Sequence, residues 1–282
     1  KSAGLLPVYK ENIKGILKGI TSLPMEKIQT TIRIVILRTD CDATTTKKSI
    51  PPTWILKRFP APTTTTATAG TAAAVENSLE AERLGAAAVM VSAPVMGKPN
   101  DNALFTHYAR IADAVSIPIV VQDYPRTSGV NMSPEFIARL AENIPAVQYL
   151  KLEDPPTPPK ISAIRKLIGD KMGIFGGLGG VFLLEELARG SAGAMTGFAY
   201  PEVLVEICRH MAEGDQAAAE KVFNKHLSLM LFEFQEGIGV AIRKYALHSR
   251  GLIDCPKVRA PGPGVTEETQ NEFHRLVKVA GL

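Results

Sequence analysis

Lys151 closes the apolar run Val147-Gln148-Tyr149-Leu150-Lys151 and is followed by Leu152-Glu153-Asp154-Pro155-Pro156. If the run is a strand, Val147, Tyr149 and Lys151 share one face. Should that face look into a protein interior, the amine sits against apolar walls. Desolvation there disfavours the charged form. A neutral amine can attack a carbonyl, and the imine so formed is an electron sink. The competing reading is a lysine that snorkels to solvent from the strand end.

A second polar group ends the preceding apolar run, in Gln122-Asp123-Tyr124-Pro125-Arg126-Thr127-Ser128-Gly129. Gln122 and Tyr124 share a face by the same alternation. A phenol can relay protons, Arg126 can hold a carboxylate, and Asp123 can orient either. A plain polar strand-to-helix loop is the alternative. The third group is Phe175-Gly176-Gly177-Leu178-Gly179-Gly180. Glycines between a strand and a helix let backbone N–H groups approach an anion such as a carboxylate, or they form a simple turn. The spacing is not that of a dinucleotide loop, since Phe182 stands where the last glycine belongs. Gly193-Ala194-Met195-Thr196-Gly197 offers small residues and a hydroxyl at the end of a further strand.

The elements that must position these groups follow from periodicity. Short apolar runs at 87–91, 117–122, 147–151, 172–175 and 193–196 alternate with amphipathic stretches at 72–84, 104–115, 133–143, 161–168 and 181–189. Strands alternating with helices indicate parallel β/α units, and continuous apolar strands are buried on both faces. A doubly wound sheet and a closed (β/α)8 barrel both fit. Unit count favours the barrel, because five units fit in 87–213 and leave room for three upstream. Candidate first strands lie at 4–8 and 32–37, and the third is expected near 61–66, within a threonine-rich tract. Ser133-Pro134 is a helix start, with a hydroxyl N-cap and proline at the first helical position. After about residue 215 the strand signal ends, and 217–234, 237–249 and 266–279 read as helices. The expected division is a catalytic barrel over 1–214 and a helical domain over 215–282.

Bulk properties narrow the function. The chain has 282 residues, 45% hydrophobic and 21% charged, with a net charge of +4. That suits a globular protein with a sizeable core. The basic residues form no patch of the kind that marks a nucleic-acid binder. No apolar run approaches the length of a membrane helix, and the N-terminus shows no secretory h-region. Cys41, Cys208 and Cys255 form no disulfide framework. A reducing, cytoplasmic setting is the expectation. The five histidines have no zinc-type spacing, so neither metal nor cofactor is expected.

Taken in order, these segments resemble the dihydrodipicolinate synthase / N-acetylneuraminate lyase family. The likeness runs over residues 72–282, through Ala74-Val75-Glu76-Asn77, Glu82-Arg83-Leu84-Gly85-Ala86, Pro118-Ile119-Val120-Val121 and the loop after it, Tyr149-Leu150-Lys151, and 190–197. It implies a (β/α)8 barrel with a C-terminal helical domain, a tetrameric or dimeric assembly, and imine formation between Lys151 and pyruvate or another 2-oxo acid. Lys151, Tyr124 and Glu153 become the catalytic candidates. Thr39, Gln122, Thr127, Gly176, Gly177 and Met195 become the substrate-binding ones.

The departures bear on the substrate. Where the family has Y-N-x-P-S-R-T-G, its tyrosine falls on Gln122, with Tyr124 two residues on. Its P-Y-Y segment is Ala93-Pro94-Val95 here, and of its G-T-T-G-E motif only Thr39 matches. The Q-D-x-P variant, K-x-E after the lysine strand and G-A-M-T-G are more similar to the 2-keto-3-deoxy-sugar-acid dehydratases of the family, such as those acting on L-2-keto-3-deoxyarabonate. A dihydrodipicolinate synthase or other pyruvate aldolase is the alternative within the family. An inactive 2-oxo-acid-binding paralogue is the alternative outside catalysis.

Overall fold

The computed structural model describes residues 63–65, 70–95 and 100–282. Six strands, β1 (Thr63–Thr65), β2 (Ala88–Ser92), β3 (Ile119–Asp123), β4 (Val147–Leu152), β5 (Gly173–Gly176) and β6 (Gly193–Ala194), pair in parallel and strictly in chain order. A doubly wound sheet must reverse its strand order at a switch point. This one never does, which is the winding of a (β/α)8 barrel. The third strand thus falls where expected, in the threonine tract; the expected strands at 4–8 and 32–37 lie outside the described residues.

The helices that follow β1–β4 are α1 (Thr71–Arg83), α2 (Asp101–Ala114), the short α3 (Pro125–Ser128), α4 (Pro134–Asn143) and α5 (Thr157–Ile168). The Ser133 hydroxyl accepts the Phe136 N–H at 3.1 Å and starts α4, as its sequence indicates. Asn100 caps α2 in the same way at 3.0 Å. Two sequence expectations need correction here. Periodicity begins α5 only at Ile161, whereas Pro158 and Pro159 lie in its first turn, where a missing N–H costs no helical bond. The segment after Tyr124 is a helical turn rather than an open loop.

Helix α6 (Leu183–Ala188) follows β5 through a 3₁₀ turn, Leu178–Gly180. After β6 come α7 (Pro201–Ala212), α8 (Gln216–Glu233), α9 (Gly239–Ser249) and α10 (Glu267–Ala280). These helices share an apolar core with α6, around Phe223, Met230, Ile242 and Phe273.

Alternation along the strands divides the side chains into two layers. Val89, Val91, Ile119, Val121, Leu150, Leu152 and Ile174 face outward and pack beneath the helices. Ala88, Met90, Val120, Phe175 and Met195 face inward, together with Tyr149. Gly173 leaves room for that tyrosine, since a Cβ there would lie 2.8 Å from its Cδ1. Val147 corrects the expected common face with Tyr149 and Lys151. The β3–β4 register shifts between Ile119↔Val147 and Val120↔Tyr149, so one extra β4 residue puts Val147 in the outer layer.

Candidate active site

The inward face of β4 ends in Lys151, only 7% exposed. Register aligns it with Gln122 on β3 and Phe175 on β5, and aligns Gln122 with Ser92 on β2. Three adjacent strands therefore deliver polar side chains to one level at their C-terminal ends, above the apolar interior. The Lys151 Nζ donates to Glu153 Oε2 at 2.8 Å, and the Gln122 amide donates to the same oxygen at 2.8 Å. The Ser92 hydroxyl donates to Gln122 Oε1, also at 2.8 Å. Glu153 is itself buried, and its backbone N–H is tied to the Asp123 carbonyl at 2.8 Å. The result is an amine and a carboxylate in contact, shielded from bulk water and oriented by a fixed amide.

Gly177 and Gly176 contribute by what they lack. A Cβ on Gly177 would lie 2.5 Å from Glu153 Oε1 and 2.6 Å from its Cδ. Only a hydrogen leaves the carboxylate in place there. The carbonyl of Gly176 accepts the Met195 N–H at 2.8 Å, and the Met195 side chain fills the barrel interior.

Tyr124 precedes α3, half-buried, and its hydroxyl makes no hydrogen bond among the described residues. Thr127 is exposed on α3 and does not join the Lys151 group. Arg126, expected to hold a substrate carboxylate, is ion-paired with Glu236 instead. Asp123 turns away from Tyr124 and Arg126. As the outward residue between Gln122 and Tyr124, it is fully buried and meets Lys160 of α5 at 2.6 Å, and Asp154 shares that ammonium at 2.7 Å. Burial raises the Asp123 carboxyl to about 6, although Lys160 pulls the other way. Thr39 lies outside the described residues.

Several groups escaped the sequence reading. Ser92 is one residue beyond the apolar run that signals β2. Glu186 of α6 is buried behind Gly176, where a Cβ would collide with its carboxylate. Its Oε1 accepts the Thr157 hydroxyl at 2.5 Å, and burial raises it to about 7. Glu233 and Arg243, from α8 and α9, lie far along the chain in segments that read only as helix. No local pattern marks them. Among the described residues no group of three or more His, Cys, Asp or Glu side chains is placed to hold a metal ion, and no helix is long and apolar enough to cross a membrane.

A buried lysine–carboxylate pair at the C-terminal end of a parallel strand, in a singly wound barrel, is the feature to compare with known proteins. The chain is 34% identical over 218 residues to the L-2-keto-3-deoxyarabonate dehydratase of Azospirillum brasilense, covering 76% of this chain and 70% of that protein. It is 28% identical over 213 residues to the 4-hydroxy-tetrahydrodipicolinate synthase of Chlorobium chlorochromatii, covering 74% and 70%. Among solved structures, dihydrodipicolinate synthase from Rhodopseudomonas palustris superposes with a TM-score of 0.71 at 33% identity, over 76% of this chain and 73% of that one. Residues 63–280, from β1 almost to the C-terminus, match the dihydrodipicolinate synthetase family. The chain belongs to that family, and its fold is the family's (β/α)8 barrel; it is a lyase.

Proposed function

We propose that the protein is a Schiff-base dehydratase of a 2-keto-3-deoxy sugar acid, with Lys151 as its nucleophile. The observation that carries this reading is the contact between the Lys151 amine and Glu153 inside the barrel mouth. Glu153 takes a proton from the ammonium. The amine then adds to the C2 carbonyl of the substrate, and loss of water gives the imine. With C2 as an electron sink, a proton leaves C3 to give the enamine. The enamine expels the C4 hydroxyl, which takes a proton and departs as water. Hydrolysis of the resulting conjugated imine returns the amine and releases an unsaturated 2-oxo acid. Glu153 and Tyr124 are the proton carriers. Gln122 orients Glu153, and the Gly176–Gly177 backbone receives the substrate carboxylate. Met195 forms the apolar floor, and Thr127 borders the entrance.

The dehydratase reading draws on the Azospirillum relative and on Gln122, which stands where the family's synthases carry a tyrosine. In this reading residues 1–214 are the catalytic barrel and 215–282 a helical domain, and the enzyme works in the cytoplasm as a homo-oligomer without a cofactor.

Incubation with pyruvate and borohydride should add one reduced pyruvyl group, and peptide mapping should place it on Lys151. An adduct on another lysine, or none, overturns the mechanism. Lys151→Arg should abolish both trapping and turnover, because a guanidinium stays protonated. The enzyme should dehydrate L-2-keto-3-deoxyarabonate and fail with pyruvate plus aspartate semialdehyde. A kcat/KM on the order of 10⁴ M⁻¹s⁻¹ or more in the latter assay, an ordinary enzyme value, would refute the dehydratase assignment.

A further inference from the structure

Among the buried polar atoms without a hydrogen-bond partner, Arg243 Nε and Glu233 Oε1 belong to side chains that flank one loop, the one after β6. Arg243, on α9, lays its guanidinium against Gly197 in the loop after β6, where a Cβ would be 3.3 Å from both its Cδ and Nη1. The Nε is buried and donates to nothing. Its charged and ionisable neighbours are Glu233, Glu153 and Tyr124. Gly197 follows β6 at the same C-terminal end of the parallel sheet that carries Tyr124 and the Lys151–Glu153 pair, so Arg243 stands at the mouth of the barrel. Glu233 closes α8 and is 1% exposed. Its Oε2 accepts the Ala199 N–H at 2.9 Å, while its Oε1 is buried and unpaired. The loop at 197–199 is thus bracketed by two buried polar side chains whose unpaired atoms do not bond each other.

Buried polar groups are almost always satisfied, and an unsatisfied one forfeits its hydration. Burial pushes the Glu233 carboxyl up to about 8, so it carries a proton at neutral pH. With Oε2 accepting from Ala199, that proton sits on Oε1. The Arg243 Nε–H and the Glu233 Oε1–H are thus two buried donors, and substrate hydroxyl oxygens have the lone pairs to accept from both. We propose that Arg243 and Glu233 receive the distal hydroxyl groups of the substrate, so that α8 and α9 read how far it extends, and how it is hydroxylated, beyond C3. This rests on the Schiff-base reading of Lys151 above.

The test compares two 2-oxo acids that form the same imine. Pyruvate ends at C3, whereas L-2-keto-3-deoxyarabonate carries hydroxyls beyond it. The half-saturating concentration for borohydride trapping at Lys151 is measured with each, by mass spectrometry. Arg243→Gln should raise it on the order of 10–10²-fold for L-2-keto-3-deoxyarabonate, the span of a lost charge-assisted hydrogen bond. For pyruvate the rise should be at least tenfold smaller. Glu233→Leu, which removes the donor at similar volume, should show the same split. If Arg243→Gln lowers the melting temperature enough to unfold the protein, Arg243→Lys carries the test, since it keeps the charge and loses the planar fork. Equal shifts for both acids, or none for either, overturn the proposal and leave Arg243 a structural residue satisfied by water. Unaltered enzyme that traps pyruvate but not L-2-keto-3-deoxyarabonate also overturns it and leaves the imine mechanism standing. Trapping of neither acid defeats the Schiff-base reading itself.

Discussion

Gly177→Ala adds one methyl group and tests how Glu153 is held. The added Cβ would start 2.5 Å from Glu153 Oε1 and 2.6 Å from its Cδ, distances that no carbon–oxygen or carbon–carbon contact sustains. Ordinary contact begins near about 3.5 Å, so the carboxylate must retreat by about 1 Å. The Lys151–Glu153 and Gln122–Glu153 bonds are each 2.8 Å, and a retreat of that size takes both beyond good hydrogen-bonding range. Misplacement of a catalytic group by about 1 Å costs roughly 10²-fold, and loss of a general acid–base group costs about 10²–10⁴-fold. Overpacking costs about 1–3 kcal/mol of stability. Gly177→Ala should thus lower kcat on L-2-keto-3-deoxyarabonate by roughly 10²-fold while the protein stays folded. A double-mutant cycle gives the sharper reading. In a Glu153→Gln background the glycine substitution should cost little further rate, because both changes act on one group. Near-normal kcat in Gly177→Ala, or full additivity in the cycle, would refute the reasoning.

Tyr124→Phe should lower kcat by at least about tenfold, the low side of a general acid–base contribution, while trapping at Lys151 persists more slowly. Normal turnover with a lowered melting temperature would make the tyrosine a packing residue. Lys160→Met should destabilise the fold by about 3 kcal/mol, because it leaves the Asp123 carboxylate buried without its cation; denaturant titration giving less than about 1 kcal/mol would contradict this. For Glu186, burial raises the folded carboxyl from 4.5 to about 7. The folded state therefore binds the proton more tightly, and stability falls as pH rises through that window, then levels off above it. Glu186→Gln should remove this dependence, leaving the variant close to the parent at pH 4.5 and about 1–3 kcal/mol more stable at pH 8. Parallel stability–pH curves for the two proteins would rule it out.

Local pattern alone was enough to reveal the repeating β/α unit, the capped start of α4 and the lysine at the end of β4. Each depends on a period of two or of 3.6 within a single element, or on a cap and a proline side by side. The glycines at 176–177 were legible as a close approach of backbone to some other group, though not as a close approach to Glu153. What the sequence left open depends on contacts between elements. Register, including the one-residue shift opposite Ile119, decides that Gln122 stands level with Lys151 and that Val147 joins the outer layer. Alternation put Asp123 on the opposite face from Gln122, but only the packing of α5 against β3 shows that Lys160 awaits it there. Arg126 read as a free cation because its partner, Glu236, lies beyond the barrel strands in the chain. Arg243 and Glu233 are the extreme case. Side chains brought together by helix packing after the last strand share no period or spacing with the residues they face, so only the tertiary structure brings them to the mouth of the barrel.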